Sequence, residues 1–313
     1  MRDVLKSIVS ELKSLQDGSL MVGDEISSLD SSKFNSISSS SGKVVYVDGG
    51  QAELAGGANF SLQFIRVAAI GYDKVRTQNK FEHYVLITVR EIEGKMYYCS
   101  KVFGSSLCIP DIAFDDNSMR IGNRNVEIGS VALAVRKIIE LEVMKNVAST
   151  LHPGDILVRD GDLEQQCSAE NGWWEALHNS GVIIAGLCKT SQAVTTGGSS
   201  ANSALLRNGP SGCWLYSHGR VSFVKLHSRS EYVFRLDCFG DANRVASVLC
   251  WNSTDPVFYG YPYGLVQADM FARVSNKEKE YLRTIFMHTA ADLYPELVKD
   301  MRSMDAHSVL DSM

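Results

Sequence analysis

The hydrophobic pattern opens with one amphipathic stretch. Val4, Leu5, Ile8, Val9, Leu12 and Leu15 recur at helical spacing within residues 3–16 and predict a helix with a narrow apolar stripe. A polar stretch follows, SSLDSSKFNSISSSSG at 27–42, so rich in serine that it reads as a linker or mobile loop. Residues 1–42 are therefore expected to be an appendage, and 43–313 the main domain. The stripe of the first helix must then cover something, either the body of the protein or a second subunit.

From Lys43 the pattern tightens. KVVYVD is a short run rich in β-branched residues and is ended by Gly49 and Gly50. Strands are predicted around 61–72 (SLQFIRVAAIGY) and 84–92, with a fourth around 96–102. Asp111–Asn125 reads as a polar loop, and Val131–Leu151 as one long helix. DILVRD at 155–160 is a short buried strand, again ended by glycine. A helix near 169–179, a buried strand GVIIAGLCK at 181–189, a late β pair at 221–226 and 232–237, and a mostly helical stretch over 265–302 complete the reading. Three early strands with no helix between them imply an antiparallel meander. The helix, strand, helix, strand order that follows implies parallel strands added by right-handed crossovers. The fold class that fits is α/β, an RNase H-like mixed sheet flanked by helices.

Composition narrows the setting. The net charge is −5 and 45% of residues are hydrophobic, which excludes a disordered chain and gives no sign of a generally basic, nucleic-acid-coating surface. The seven cysteines contain no C-x-x-C pair, which argues against a zinc cluster or disulfide framework and for a reducing, cytoplasmic setting. No apolar run is long enough for a transmembrane helix, and the charged N-terminus lacks the apolar core of a secretion signal.

The chemistry lies at the strand ends. VVYV runs into Asp48-Gly49-Gly50, and ILVR runs into Asp160-Gly161-Asp162. An aspartate at the carboxyl end of a buried strand sits where open α/β sheets bind ligands. Two such carboxylates side by side repel unless a cation or proton lies between them. Oxygen ligands without cysteine or histidine suit Mg²⁺ or Mn²⁺. The long helix offers a third acid, Glu140 or Glu142, and Arg136 shares a face with Glu140; periodicity leaves both glutamates open. Asp269 is expected near the start of a helix that follows the turn Tyr261-Pro262-Tyr263-Gly264, four residues after Leu265, and Lys189 closes its strand as the aspartates close theirs. Tyr261, Tyr263, Trp173 and Trp174 are candidates for stacking unpaired bases, with core packing the commoner fate of the tryptophans.

In order, VVYVDGGQAELAGG, FIRVAAI, RKIIELEV, DILVRDGDLE, VIIAGLCKTS, YVFRLDCF and GYPYGLVQADMFARVSNKEKEYLR resemble the NurA nucleases, over roughly residues 43 to 286. The resemblance implies an RNase H-like, Mn²⁺-dependent (Mg²⁺ possible) DNA nuclease. It would be a 5′–3′ exonuclease and single-strand endonuclease, dimeric, working with a HerA-type hexameric translocase in processing DNA ends. It implies a two-metal mechanism in which Asp48, Glu140 and Asp160 are catalytic. The same three with Asp269 would hold the metals, and Lys189 would contact phosphate. Gly50 stands where that family often has a hydroxyl residue. Asp162 stands at a usually small position and is expected to add negative charge near the metals. Two other uses of the fold are a phosphate-binding module, which would lack the G-x-x-x-x-G-K-[ST] loop, and a non-catalytic adaptor of a DNA motor.

Overall fold

The computed structural model describes residues 1–304 except 16, 58, 74 and 75. The elements that position the site are, in chain order, α1 (Arg2–Ser14), β1 (Phe34–Ser36), β2 (Val44–Gly56), β3 (Phe60–Tyr72), β4 (Thr77–Ile92) and β5 (Lys95–Phe103). Then come α2 (Ile128–Ala148), β6 (Ile156–Asp160), α3 (Asn171–His178), β7 (Ile183–Cys188), α4 (Ala201–Asn208), β8 (Trp214–His218), β9 (Val221–Lys225) and β10 (Phe234–Phe239). Four helices close the chain: α5 (Ala242–Trp251), α6 (Tyr263–Ala272), α7 (Asn276–Leu293) and α8 (Pro295–Met304).

One large mixed sheet runs β1-β8-β9-β10-β7-β6-β2-β3-β4-β5 and ends on a short strand at Ile112–Ala113. β2 to β5 form the antiparallel meander, β6 lies parallel to β2, and β7 lies parallel to β6. The order β4-β3-β2-β6-β7 is the RNase H-like arrangement expected from the sequence. β10 then pairs antiparallel with β7 and carries the sheet onward through β9 and β8.

The two faces of the sheet follow from strand alternation. Val45, Val47 and Leu157 enter the core beneath α2, with Val85, Ile87, Tyr98 and Val102. Val44, Tyr46, Ile156 and Val158 enter the opposite core, with Leu265 and Ala268 of α6 and Val245 and Leu249 of α5. α6 lies so close to the sheet that a Cβ on Gly264 would stand 2.1 Å from the Tyr46 ring. A third core gathers Leu20, Ala201, Leu205, Trp214, Tyr216 and Phe223.

Several expectations need correction. The serine-rich stretch is not simply a linker: Phe34–Ser36 pairs with β8 as the sheet's edge, and the Phe34 ring packs edge-on against Trp214 at 4.9 Å. The isolated aromatic and isoleucine among the serines supply that packing, which serine content alone conceals. Leu20–Val22 likewise pairs with Val194–Thr195. The strand predicted from residue 84 begins at Thr77, because its first half is exposed and polar and lacks the alternation that marks a half-buried strand. β8, α4 and α5 were not foreseen. The first helix ends at Ser14, short of the predicted residue 16, which lies outside the described residues. Its stripe from Val4 to Leu12 is exposed. Among the described residues no helix is long and apolar enough to cross a membrane.

Candidate active site

Parallel register sets the centre of the site. Arg159 of β6 stands opposite Val47 of β2, so Asp160 falls beside Asp48 at the end of the pairing. Both alternate with residues of the α6 core, so both carboxylates project to that face, about 4.8 Å of strand spacing apart. Gly161 adopts φ +116°, a conformation that favours glycine, and turns the chain away from the carboxylate. Its amide donates to the Leu187 carbonyl at 3.0 Å, tying the turn to β7.

The electrostatics differ sharply between the two acids. Burial pushes the Asp48 carboxyl up, Asp160 and Glu140 add to the effect, and the value reaches about 8. Its hydrogen bond comes from the adjacent Gly49 amide, at 2.7 Å. Asp160 is also raised by burial, but Lys189 Nζ, 2.5 Å from Oδ2, offsets part of it. Burial works against the Lys189 ammonium, yet Asp160, Asp48 and Asp269 together hold its pKa above the ordinary lysine value. The ammonium also lies 5.5 Å from the Tyr261 ring centroid. Tyr261 is buried against Asp160, and burial with that charge pushes the phenol upward; its hydroxyl lacks a hydrogen bond of ordinary geometry.

Asp269, on α6, adds its charge to Asp160 and Lys189 and is paired to Arg273 at 2.5 Å. Asp48, Asp160, Asp269 and Lys189 are therefore brought together on one face.

Glu140 reaches the site from α2, on the other side of the sheet. It packs against Gly49, where a Cβ would stand 2.3 Å from Oε1, so only glycine admits it. The carboxylate is almost fully buried and held by two guanidiniums, Arg159 Nε at 2.9 Å and Arg136 Nε at 3.3 Å. Arg136 also donates to the Gly49 carbonyl at 3.0 Å. Glu142 points elsewhere and accepts from Lys145 at 2.6 Å and from the Trp173 indole at 2.7 Å. Of the two glutamates that periodicity leaves open, Glu140 packs against Gly49 beside the Asp48 strand end and Glu142 turns toward α3.

The tryptophans serve packing. Trp174 is buried and donates to Glu170 at 2.8 Å, while Trp173 is engaged with Glu142. Tyr263 is partly exposed at the start of α6. Asp162 does not crowd the carboxylates as expected. Its side chain accepts from the Glu164 amide at 3.1 Å and approaches Lys137 at 3.9 Å.

Sequence reasoning overlooked Arg159, which donates to Glu140 and, at 2.6 Å, to the Asp162 carbonyl. Its signal was available: an arginine inside the otherwise apolar run ILVRD needs a buried partner.

Among the described residues no three His, Cys, Asp or Glu side chains stand together as a preformed metal-ligand set. Asp48 and Asp160 nevertheless fit a hard divalent cation. They are adjacent, partly buried, oxygen-only donors, and Asp48 is lifted by burial first and by the Asp160 charge next. Mg²⁺-type ions bind through one or two carboxylates, with waters and substrate phosphate oxygens completing the shell.

No family model matches the sequence, and no curated protein does. Among solved structures, the chain is similar to the NurA nuclease from Sulfolobus solfataricus, with a TM-score of 0.54 and 13% identity over 93% of this chain and 94% of that one. Likeness to Ciona intestinalis Endonuclease V, in complex with an inosine-containing DNA, has a TM-score of 0.40 and 12% identity over 77% of this chain and 86% of that one. The resemblance noted in the sequence motifs is thus met by the fold, which is that of the NurA structure.

Proposed function

We propose that the protein is a metal-dependent phosphodiester hydrolase acting on DNA. The observation that carries this reading is the pair of partly buried carboxylates Asp48 and Asp160 on adjacent strand ends, with Asp48 pushed up to about 8 by burial and by the charges of Asp160 and Glu140. Asp48 and Asp160 would hold Mn²⁺ or Mg²⁺, Asp269 is the next carboxylate on that face, and Glu140 stands behind Gly49. Divalent ions bound there would neutralise charge on the scissile phosphate and lower the pKa of the attacking water, in the manner of two-metal hydrolysis. Lys189 offers a cation to a phosphate oxygen on the same rim, and Tyr261 closes the apolar wall beside it. Exonuclease polarity, single-strand cutting, a homodimer and a HerA-type translocase partner in DNA end resection belong to the same reading and rest on the motif resemblance.

The test is digestion of end-labelled single- and double-stranded DNA with Mn²⁺, Mg²⁺ or chelator, with and without a HerA-type translocase. The wild-type chain should cleave only with metal. Asp48→Asn and Asp160→Asn should lose cleavage by at least a hundredfold while remaining folded by circular dichroism. Full activity in either variant, or in chelator, would overturn the assignment.

A further inference from the structure

Beyond the carboxylates, the sheet carries a second surface of distinctive chemistry. β4 and β5 extend past the helices that cover the α6 face, and α2 packs against them from the opposite side. Alternation therefore turns Lys80, Tyr84 and Arg90 of β4, with Tyr97, Lys101 and Phe103 of β5, to the other face. Tyr84 stands opposite Phe103 and next to the buried Phe64, whose ring centroid is 5.2 Å away. Tyr84 is 41% exposed and Phe103 43%, a large share for rings in strands of a central sheet. Lys101 lies 5.2 Å from the Phe103 centroid, and Arg90 stands opposite Tyr97. Lys80, Arg90 and Lys101 are exposed and make no ion pair with the described residues. The acids nearby are Glu82 and Glu278, both paired to Arg66 although Glu278 also feels the Lys80 charge, and Asp111, which lies beside Cys99.

This face is continuous with the site. Asp48 pairs with Ala68 on β3, and Ala68 pairs with Lys80 on β4, so the carboxylates and Lys80 lie on one row across three strands. Lys80 also sits 5.0 Å from the Phe271 centroid on α6, which marks the crossing from site to sheet. Cations unpaired in an acidic chain, interleaved with exposed rings at strand spacing, match the chemistry of a single-stranded nucleic acid: phosphates for the cations, base faces for the rings.

We propose that the uncovered face of β4 and β5 is the track that holds single-stranded nucleic acid leading to the carboxylate site. The direction of the track rests on the nuclease reading, whereas its binding does not. The test is fluorescence anisotropy of a labelled oligothymidylate with the full-length Asp48→Asn protein in chelator, so that no cleavage intervenes. Adding Tyr84→Ala with Phe103→Ala should weaken binding about tenfold or more with the salt dependence unchanged. Adding Lys80→Glu with Lys101→Glu should weaken it at least tenfold and reduce the slope of log affinity against log salt by about 0.7 per lost phosphate contact. Tyr84→Phe, which keeps the ring, should bind as the parent does. Unchanged affinity in both double variants overturns the track. So does unchanged affinity with a loss of self-association by sedimentation, which would assign the face to a second copy of the chain. Should these variants lose binding while the wild-type protein proves unable to cleave DNA with Mn²⁺, the track stands and the nuclease reading falls.

Discussion

Replacing Asp48 by asparagine should stabilise the metal-free protein, against the usual expectation for a buried strand residue. The carboxyl titrates near 3.8 when free and is pushed to about 8 in the folded chain, by burial first and by Asp160 and Glu140 next. Between those values the native state keeps a proton that the unfolded chain has lost. The native state therefore binds more protons, and stability falls as pH rises from about 4 to about 8 and levels off above. Each pH unit in that window costs roughly 1.4 kcal/mol, so at pH 7 the penalty is about 4 kcal/mol. Asparagine is nearly the same shape and carries no charge, so the variant should recover most of that amount. Urea unfolding in chelator at pH 5, 6, 7 and 8 measures it: the wild-type midpoint should fall across the series, and the variant's should fall much less. Mn²⁺ at neutral pH should raise the wild-type midpoint, since binding to the native state adds RT ln(1 + [L]/Kd), and leave the variant's nearly unchanged. A variant less stable than wild type at pH 7 in chelator, or one with the same pH slope, would refute the account of Asp48 as a buried and uncompensated acid.

The two helix glutamates should separate cleanly. Glu140→Gln leaves the buried Arg159 guanidinium without its anion and should cost about 3–5 kcal/mol in denaturant unfolding. Glu142→Gln weakens a partly exposed pair and should cost under about 1 kcal/mol, so equal losses would contradict the geometry. Gly264→Ala drives a methyl against the Tyr46 ring and should cost about 1–3 kcal/mol, read as a lower melting temperature; an unshifted transition would mean that α6 does not press on the sheet as described.

How much of this was legible in the chain depended on which force left a trace. The parallel core was readable because VVYV, ILVR and GVIIAGLCK are buried on both faces and so appear as unbroken apolar runs. The pairing of Asp48 with Asp160 was readable because both stand at the same point of such a run. The first half of β4 was not, since an exposed strand face is written in polar residues that equally suit a loop. β1 was masked by serine, although the Phe34 ring packs on Trp214 and Tyr216. Glu140 could not be told from Glu142 because α2 is buried on nearly every side, so its periodicity does not single out one face. What separates them is Gly49, on a strand about which a helical pattern says nothing. Asp162 misled because sequence distance gives proximity to Asp160 but not the side of the sheet to which a side chain turns.

The cations around the site explain why strain collects on a single residue. Glu140 has Arg159 and Arg136, Asp160 has Lys189, and Asp269 has Arg273. Each acid is drawn toward its own partner, which accounts for the lack of a preformed three-ligand set among the described residues. Asp48 differs from the other three: among the described residues it has a backbone amide and no cation within ion-pair reach. A partly buried carboxylate of that kind, its pKa pushed up to about 8, holds a proton at neutral pH. The neighbouring acids keep the potential at Asp48 negative, while their own cations keep the fold from coming apart under mutual repulsion. In the proposed reading a divalent cation would supply positive charge beside Asp48, with Asp160 the adjacent carboxylate able to share it by exchanging Lys189. The uneven pairing of the acids, more than their number, is what fits this end of the sheet to the cation-dependent chemistry we propose.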